Sequence, residues 1–193
     1  DTIVVRQNGA TLDARSGRFS GIDLVDASRT TGGVTIARMR SILGGAGNDT
    51  LIATDSGGCV LRGGGGNDRL YLGKGVDRVY FGSGDGNDHI EGFEANKDRL
   101  VLYDNGRPEK VRAAKGELVL RDGRGTVMLK DGAGKKLLIE DGKGKAQRYW
   151  FGWDDRDNTY EYETDGHYIG SGSRKDTIVV RQNGATLDAR SGR

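Results

Sequence analysis

From Gly44 onward the chain repeats a nine-residue pattern, and this period constrains its fold more than any other feature. The units read GGAGNDTLI (44–52), TDSGGCVLR (54–62), GGGGNDRLY (63–71), LGKGVDRVY (72–80), SGDGNDHIE (83–91) and FEANKDRLV (93–101). Their sixth positions are Asp49, Cys59, Asp68, Asp77, Asp88 and Asp98, and their eighth positions are Leu51, Leu61, Leu70, Val79, Ile90 and Leu100. Glycine admits positive φ and lets carbonyl oxygens approach one another without Cβ clashes, so the first half of each unit reads as a tight turn. The three residues centred on the apolar position read as a short strand with one inward side chain. Insertions at Ala53 and at Phe81-Gly82 strain the register locally.

The pattern G-G-x-G-x-D-x-U-x, with U a large apolar residue, resembles the RTX calcium-binding nonapeptide repeat. Two units keep every fixed position, and the resemblance covers about 55 of the 193 residues. It implies a right-handed parallel β-roll with two turns and two strands per rung, in which unit n stacks on unit n+2. Asp49 then faces Asp68, and Asp68 faces Asp88, along one edge; Cys59, Asp77 and Asp98 line the other. The same resemblance implies that these carboxylates join carbonyl-presenting turn residues Gly45, Gly47, Gly64, Gly66, Gly84 and Gly86 in oxygen clusters suited to Ca²⁺. About two sites are expected on the first edge and about one, Asp77 with Asp98, on the second, for two to four ions in all. Cys59 departs from the pattern, because a neutral thiol is a poor calcium ligand. Without the ion this part of the chain is expected to be loose.

Composition agrees with an architecture that does not rest on one oily core. Leu, Ile, Val and Phe together number 41, against 34 Gly and a single Pro. So few large apolar side chains do not offset about 1–2 kcal/mol of backbone entropy per residue by burial alone. The carboxylates are skewed to 21 Asp against 7 Glu, and Asp is the shorter ligand that suits tight turns. A net charge of +2 argues against a polybasic nucleic-acid or lipid binder. No apolar run approaches the ~20 residues of a membrane span, and DTIVVRQNGA lacks the features of a signal peptide. Cys59 stands alone, so no disulfide framework is expected.

A longer repeat encloses the short one. Residues 1–18 and 176–193 both read DTIVVRQNGATLDARSGR, identical at all 18 positions with an offset of 175. The chain therefore reads as one period of a tandem array followed by the start of the next copy. Such an array suits a spacer, stalk or lattice better than an enzyme; the alternative is a chain made by joining segments. Four regions follow: metal-free strand rungs over 1–43, the calcium roll over 44–101, a β-meander cap with an aromatic cluster over 102–175, and the next repeat from 176.

In the first region TIVV, ATLDA, GIDLVDA and GVTIA are short β segments between turn signals, and Asp23 and Asp26 read as solvated strand edges. In the third, ELVLRDGRG, TVMLKDGAG and KLLIEDGKG place Asp122, Asp131 and Asp141 at hairpin-type Asp-Gly turns. Tyr149, Trp150, Phe151, Trp153, Tyr160 and Tyr162 read as local core, with a sugar-stacking surface as the rival. Asp154, Asp155 and Asp157 suggest a cation loop without the EF-hand spacing. His89 and His167 are too isolated for a zinc site, and no nucleophile motif or phosphate loop is present.

The expected protein is all-β: a calcium-binding parallel β-roll or β-solenoid flanked by metal-free rungs and a closing β-meander. Its expected role is a non-catalytic structural module of a secreted or cell-surface bacterial RTX protein, exported by type I secretion. Its expected partners are neighbouring copies of the same repeat, with no nucleic acid and no membrane insertion. Two other readings stand beside it: a glycan- or surface-binding adhesin using the Trp150–Trp153 cluster, and the export and folding region of an RTX enzyme or toxin.

Overall fold

The computed structural model describes residues 1–16, 19–104, 108–154, 158–162, 166–170, 176–180 and 187–191. The short β segments upstream form β1 (Thr2–Val4), β2 (Thr11–Asp13), β3 (Leu24–Asp26), β4 (Thr35–Met39) and β5 (Ser41–Leu43), with a 3₁₀ turn at Ala14–Ser16. The nonapeptides then give β6 (Thr50–Ala53), β7 (Val60–Arg62), β8 (Arg69–Tyr71), β9 (Arg78–Phe81), β10 (Asn87–Glu91) and β11 (Arg99–Leu102). Odd-numbered strands enter one sheet and even-numbered strands the other, so the chain crosses between sheets at every turn.

Pairing within each sheet is parallel and aligns the apolar positions in columns. One column runs Val25, Ile42, Leu61, Val79, Leu100, Ile139, and the facing one runs Ile36, Leu51, Leu70, Ile90, Leu129. All of these side chains are buried. The inward direction of each x-U-x triplet thus makes the core, and each such side chain contributes on the order of 1.5–3 kcal/mol.

Downstream, β12 (Glu109–Ala114), β13 (Glu117–Asp122) and β14 (Gly125–Leu129) form an antiparallel meander. Its last strand runs parallel to β10, and β12 is the outer strand of an eight-stranded sheet, which the meander closes. The other sheet continues: β15 (Lys136–Asp141) lies parallel to β11 and turns back into β16 (Ala146–Phe151). Beyond it come β17 (Asn158–Tyr162), β18 (Gly166–Gly170), β19 (Asp176–Val180) and β20 (Leu187–Ser191). Strands β18 and β20 extend the first sheet to ten strands, and β17 with β19 forms a separate parallel pair. Asp122 and Asp141 stand at hairpin turns as expected. Asp131 instead follows β14 at the crossing to β15 with φ +62°, so the hairpin expected there is a sheet-to-sheet crossover.

Among the described residues the aromatic cluster is internal packing. Tyr149, Trp150 and Phe151 are buried, Tyr149 stacks on His167, and Trp150 stacks on Tyr168 at 4.9 Å. The ring face a sugar would use at Trp150 is taken by the adjacent strand. Asp154 is not a cation ligand in this fold, because buried Lys110 donates to its Oδ1 at 2.7 Å and the Ala113 N–H to its Oδ2 at 2.6 Å. Asp155 and Asp157, and the side chains of Tyr160 and Tyr162, lie outside the described residues.

Candidate metal centre

The sixth position of each unit immediately precedes a strand or, at Asp88, stands second in it, so each Asp carboxyl reaches the backbone of the rung before it. On one edge the Val34 N–H donates to Asp49 Oδ1 at 2.8 Å, the Asp49 N–H to Asp68 Oδ1 at 2.8 Å, and the Asp68 N–H to Asp88 Oδ1 at 3.0 Å. On the other edge the Cys59 N–H donates to Asp77 Oδ1 at 2.7 Å and the Asp77 N–H to Asp98 Oδ1 at 2.9 Å. The two ladders group Asp49, Asp68 and Asp88 on one side and Cys59, Asp77 and Asp98 on the other.

The second carboxylate oxygens separate the turns chemically. Asp49 Oδ2 accepts from the Gly45 N–H at 2.7 Å, Asp77 Oδ2 from Gly73 at 3.1 Å, and Asp98 Oδ2 from Glu94 at 2.7 Å. Asp68 Oδ2 is buried and accepts no hydrogen bond. Its turn is wound differently, with Gly64 at φ +99° and Gly66 at φ +119°, whereas the Gly45 turn has no such residue. A buried carboxylate oxygen without a donor is costly unless an ion meets it.

Burial raises the pKa of Asp49, and raises Asp68 to about 7, Asp88 to about 8 and Asp98 to about 6. At Asp88 the charge of Asp68 adds to the effect of burial, and at Asp68 the charges of Asp49 and Asp85 do. Carboxyls raised this far by burial and like charge are ones that a bound cation would return to the ionised form. The donor set therefore fits a hard divalent ion at the Asp68–Asp88 step. Among the described residues no three His, Cys, Asp or Glu side chains converge on one point, so an ion here takes carbonyl oxygens as well.

Glycine is what allows those carbonyls in. A Cβ on Gly64 would stand 2.0 Å from the Gly45 oxygen, one on Gly66 2.6 Å from the Gly47 oxygen, and one on Gly86 1.7 Å from the Gly66 oxygen. Gly45 packs on Thr30, and Gly47 on the backbone of Gly32 and Gly33. Gly84 differs from the other five in that nothing lies within 4 Å of its Cβ position.

At Cys59 the buried thiol turns onto its own loop, with Sγ donating to Thr54 O at 3.5 Å and lying 3.9 Å from Gly57 O. Burial, then the Asp77 charge, pushes the thiol pKa up, so it stays neutral. The thiol thus occupies the carbonyls of the turn where the pattern calls for a carboxylate.

Two features escaped the sequence reading. Asn48, Asn67 and Asn87 form a second ladder, in which the Asn67 N–H donates to Asn48 Oδ1 at 2.8 Å and the Asn87 N–H to Asn67 Oδ1 at 3.1 Å. The recurrence of Asn just before Asp in three units was its signal. Asp85 is also buried: the Tyr103 hydroxyl donates to its Oδ1 at 2.6 Å, the Gly82 N–H to its Oδ2 at 2.9 Å, and Arg62 lies at 3.6 Å. That cluster lies at the Phe81-Gly82 insertion, and nothing in the period announces the contacts of Asp85.

A parallel two-sheet coil with carboxylates laddered along glycine turns is a cation-binding β-roll. Residues 41–56 and 60–86 match the RTX calcium-binding nonapeptide repeat in 4 copies, so residues 41–86 carry calcium-binding RTX repeats. The match breaks between 56 and 60, where Cys59 sits. No curated protein matches the chain.

Proposed function

We propose that the chain is a calcium-locked structural unit of a tandem array, acting as an extender, stalk or assembly element outside a bacterial cell. The observation that carries this reading is the identity of residues 1–18 with 176–193, which supports taking the unit as one period of a longer repeat. The ligands assigned are Asp49, Asp68 and Asp88 on one edge and Asp77 with Asp98 on the other. Turn carbonyls around Gly45, Gly47, Gly64, Gly66 and Gly86 complete them, and two to four ions are expected. The unmatched Asp68 Oδ2 makes the site at Asp68 the first to fill.

Because an ion that binds the folded state and not the unfolded one adds to stability, the unit is pliable where calcium is scarce and rigid where it is plentiful. Export in the pliable state by type I secretion, the usual route of RTX proteins, then locking outside the cell, follows from that linkage. A catalytic role has no assigned nucleophile or base. The adhesin reading loses its main support through the burial of Trp150.

Calcium titration by isothermal calorimetry, with melting followed in parallel, tests the reading on the full chain and on Asp68→Ala. Uptake of two to four ions with a large rise in melting temperature, blunted in Asp68→Ala, is the expected result. Absence of uptake sinks it.

A further inference from the structure

Successive parallel strands enter each sheet in one direction, so that β3 lies between β1 and β5, and β4 between β2 and β6. A strand in this coil has its predecessor on one edge and its successor on the other. The 18 residues common to the two ends of the chain occur in both relations. In the first copy Thr2, Ile3 and Val4 pair with Leu24, Val25 and Asp26 of the following β3, and Leu12 and Asp13 pair with Ile36 and Ala37 of β4. In the second copy the same residues, now Thr177, Ile178 and Val179, pair with Thr159, Tyr160 and Glu161 of the preceding β17. Likewise Leu187 and Asp188 pair with Gly166 and His167 of β18.

We infer that this segment is a two-edged junction rung whose partner is a second copy of the chain. One edge closes the unit before it on β17 and β18, and the other opens the unit after it on β3 and β4. The outer edges of β1, β2, β19 and β20 are all terminal in their sheets. The segment also changes shape with its neighbour. Ala14–Ser16 is a 3₁₀ turn in the first copy, while the same residues, 189–191, extend β20 along β18 in the second.

The junction has a defined topology. Strand β2 lies in the eight-stranded sheet, but β20, which carries the same residues, lies in the ten-stranded one. Superposing the copies makes the ten-stranded sheet of one unit run into the eight-stranded sheet of the next, and the β17–β19 pair run into the next ten-stranded sheet. The hairpin β15–β16 causes this, since it reverses strand direction within the ten-stranded sheet. Parallel crossovers keep a right hand, so reversed strands must carry their core on the opposite face. At β16 the core changes face: Tyr149 and Phe151 join the main core, whereas Trp150 between them is buried outside it, stacked on Tyr168.

This inference rests on the tandem-array reading and is tested separately from calcium binding. Deleting residues 1–18 bares β3 and β4 while leaving their complement at 176–193. In calcium this variant is expected to assemble head to tail, with sedimentation masses rising in steps of one chain. Removing 176–193 as well is expected to restore monomers. Ile3→Pro weakens β1 without shortening the chain and is expected to act in the same direction. Within the assemblies, Leu24→Cys with Thr177→Cys is expected to cross-link neighbouring chains, because Thr177 takes the place of Thr2 opposite Leu24. The junction is overturned if both variants keep the calcium-dependent melting transition yet stay monomeric, or if assemblies persist without 176–193. Loss of calcium uptake by the full chain strikes the functional reading instead.

Discussion

Cys59 occupies the one sixth position in the six units where a carboxylate is replaced, and its thiol spends its weak donor on Thr54 O and Gly57 O. Cys59→Asp would put a carboxylate opposite Asp77, two units on. Calorimetry is expected to count one more calcium ion in this variant, with a higher melting temperature in calcium. Without calcium its melting temperature is expected to fall, because a further buried carboxyl lacks a partner. The existing carboxyls set a pH dependence of the same origin. Asp98, Asp68 and Asp88 are raised to about 6, 7 and 8 by burial, above the ordinary value near 3.8 that they have unfolded. A folded state that holds protons more tightly is stabilised fully below the unfolded pKa and loses that stability as pH rises through the folded one. The melting temperature of the calcium-free chain is therefore expected to fall between pH 4 and pH 8. With saturating calcium the trend should reverse, since the ion binds the ionised carboxylates, and thermal melts across that range in chelator and in calcium check both signs.

At the level of the turn, Gly86 and Gly84 belong to one unit and differ sharply in what they must allow. Gly86 has φ +92° and lies where a Cβ would strike the Gly66 oxygen at 1.7 Å, while Gly84 faces open space. Gly86→Ala is expected to lower stability by more than about 1 kcal/mol, and Gly84→Ala to change it by less than about 0.5 kcal/mol, measured by denaturant unfolding in calcium. This contrast also marks how far the sequence could be read. The inward column Leu51, Leu70, Ile90 and the ladder Asp49, Asp68, Asp88 were legible because a period of nine, stacked two units apart, brings identical positions together. Gly84 was assigned with the other glycines because the pattern treats all second positions alike. Its actual surroundings depend on the Phe81-Gly82 insertion, which brings Asp85 under Tyr103 and Arg62. The return of β15 to the ten-stranded sheet was hidden for a similar reason: Asp-Gly turns signal a reversal at Asp122, Asp131 and Asp141 alike, and only packing makes Asp131 a crossover.

Across the whole molecule two kinds of cohesion meet. Residues 44–98 are stitched by carboxylates laddered onto the backbone of neighbouring rungs, whereas β13 to β16 are held by antiparallel pairing and by Leu118, Leu120, Val127, Leu129, Leu137 and Ile139, all buried. Lys110 fastens the meander to the end of β16, donating to Gly152 O at 3.2 Å as well as to Asp154. Lys110→Ala is expected to cost about 1–3 kcal/mol, seen as faster amide exchange in both β12 and the Gly152–Asp154 loop, because a buried charge-assisted pair is lost with its packing. The same division predicts what chelation does. Removing calcium leaves the Asp68–Asp88 step with crowded buried carboxylates, and the rungs stacked on it lose their register, while β13 to β16 keep their own hydrogen bonds and core. Hydrogen exchange in chelator is therefore expected to deprotect residues 60–91 by orders of magnitude more than residues 118–129 and 137–150. Uniform deprotection of the chain would show instead that the ions hold one cooperative unit, in which the meander has no stability of its own.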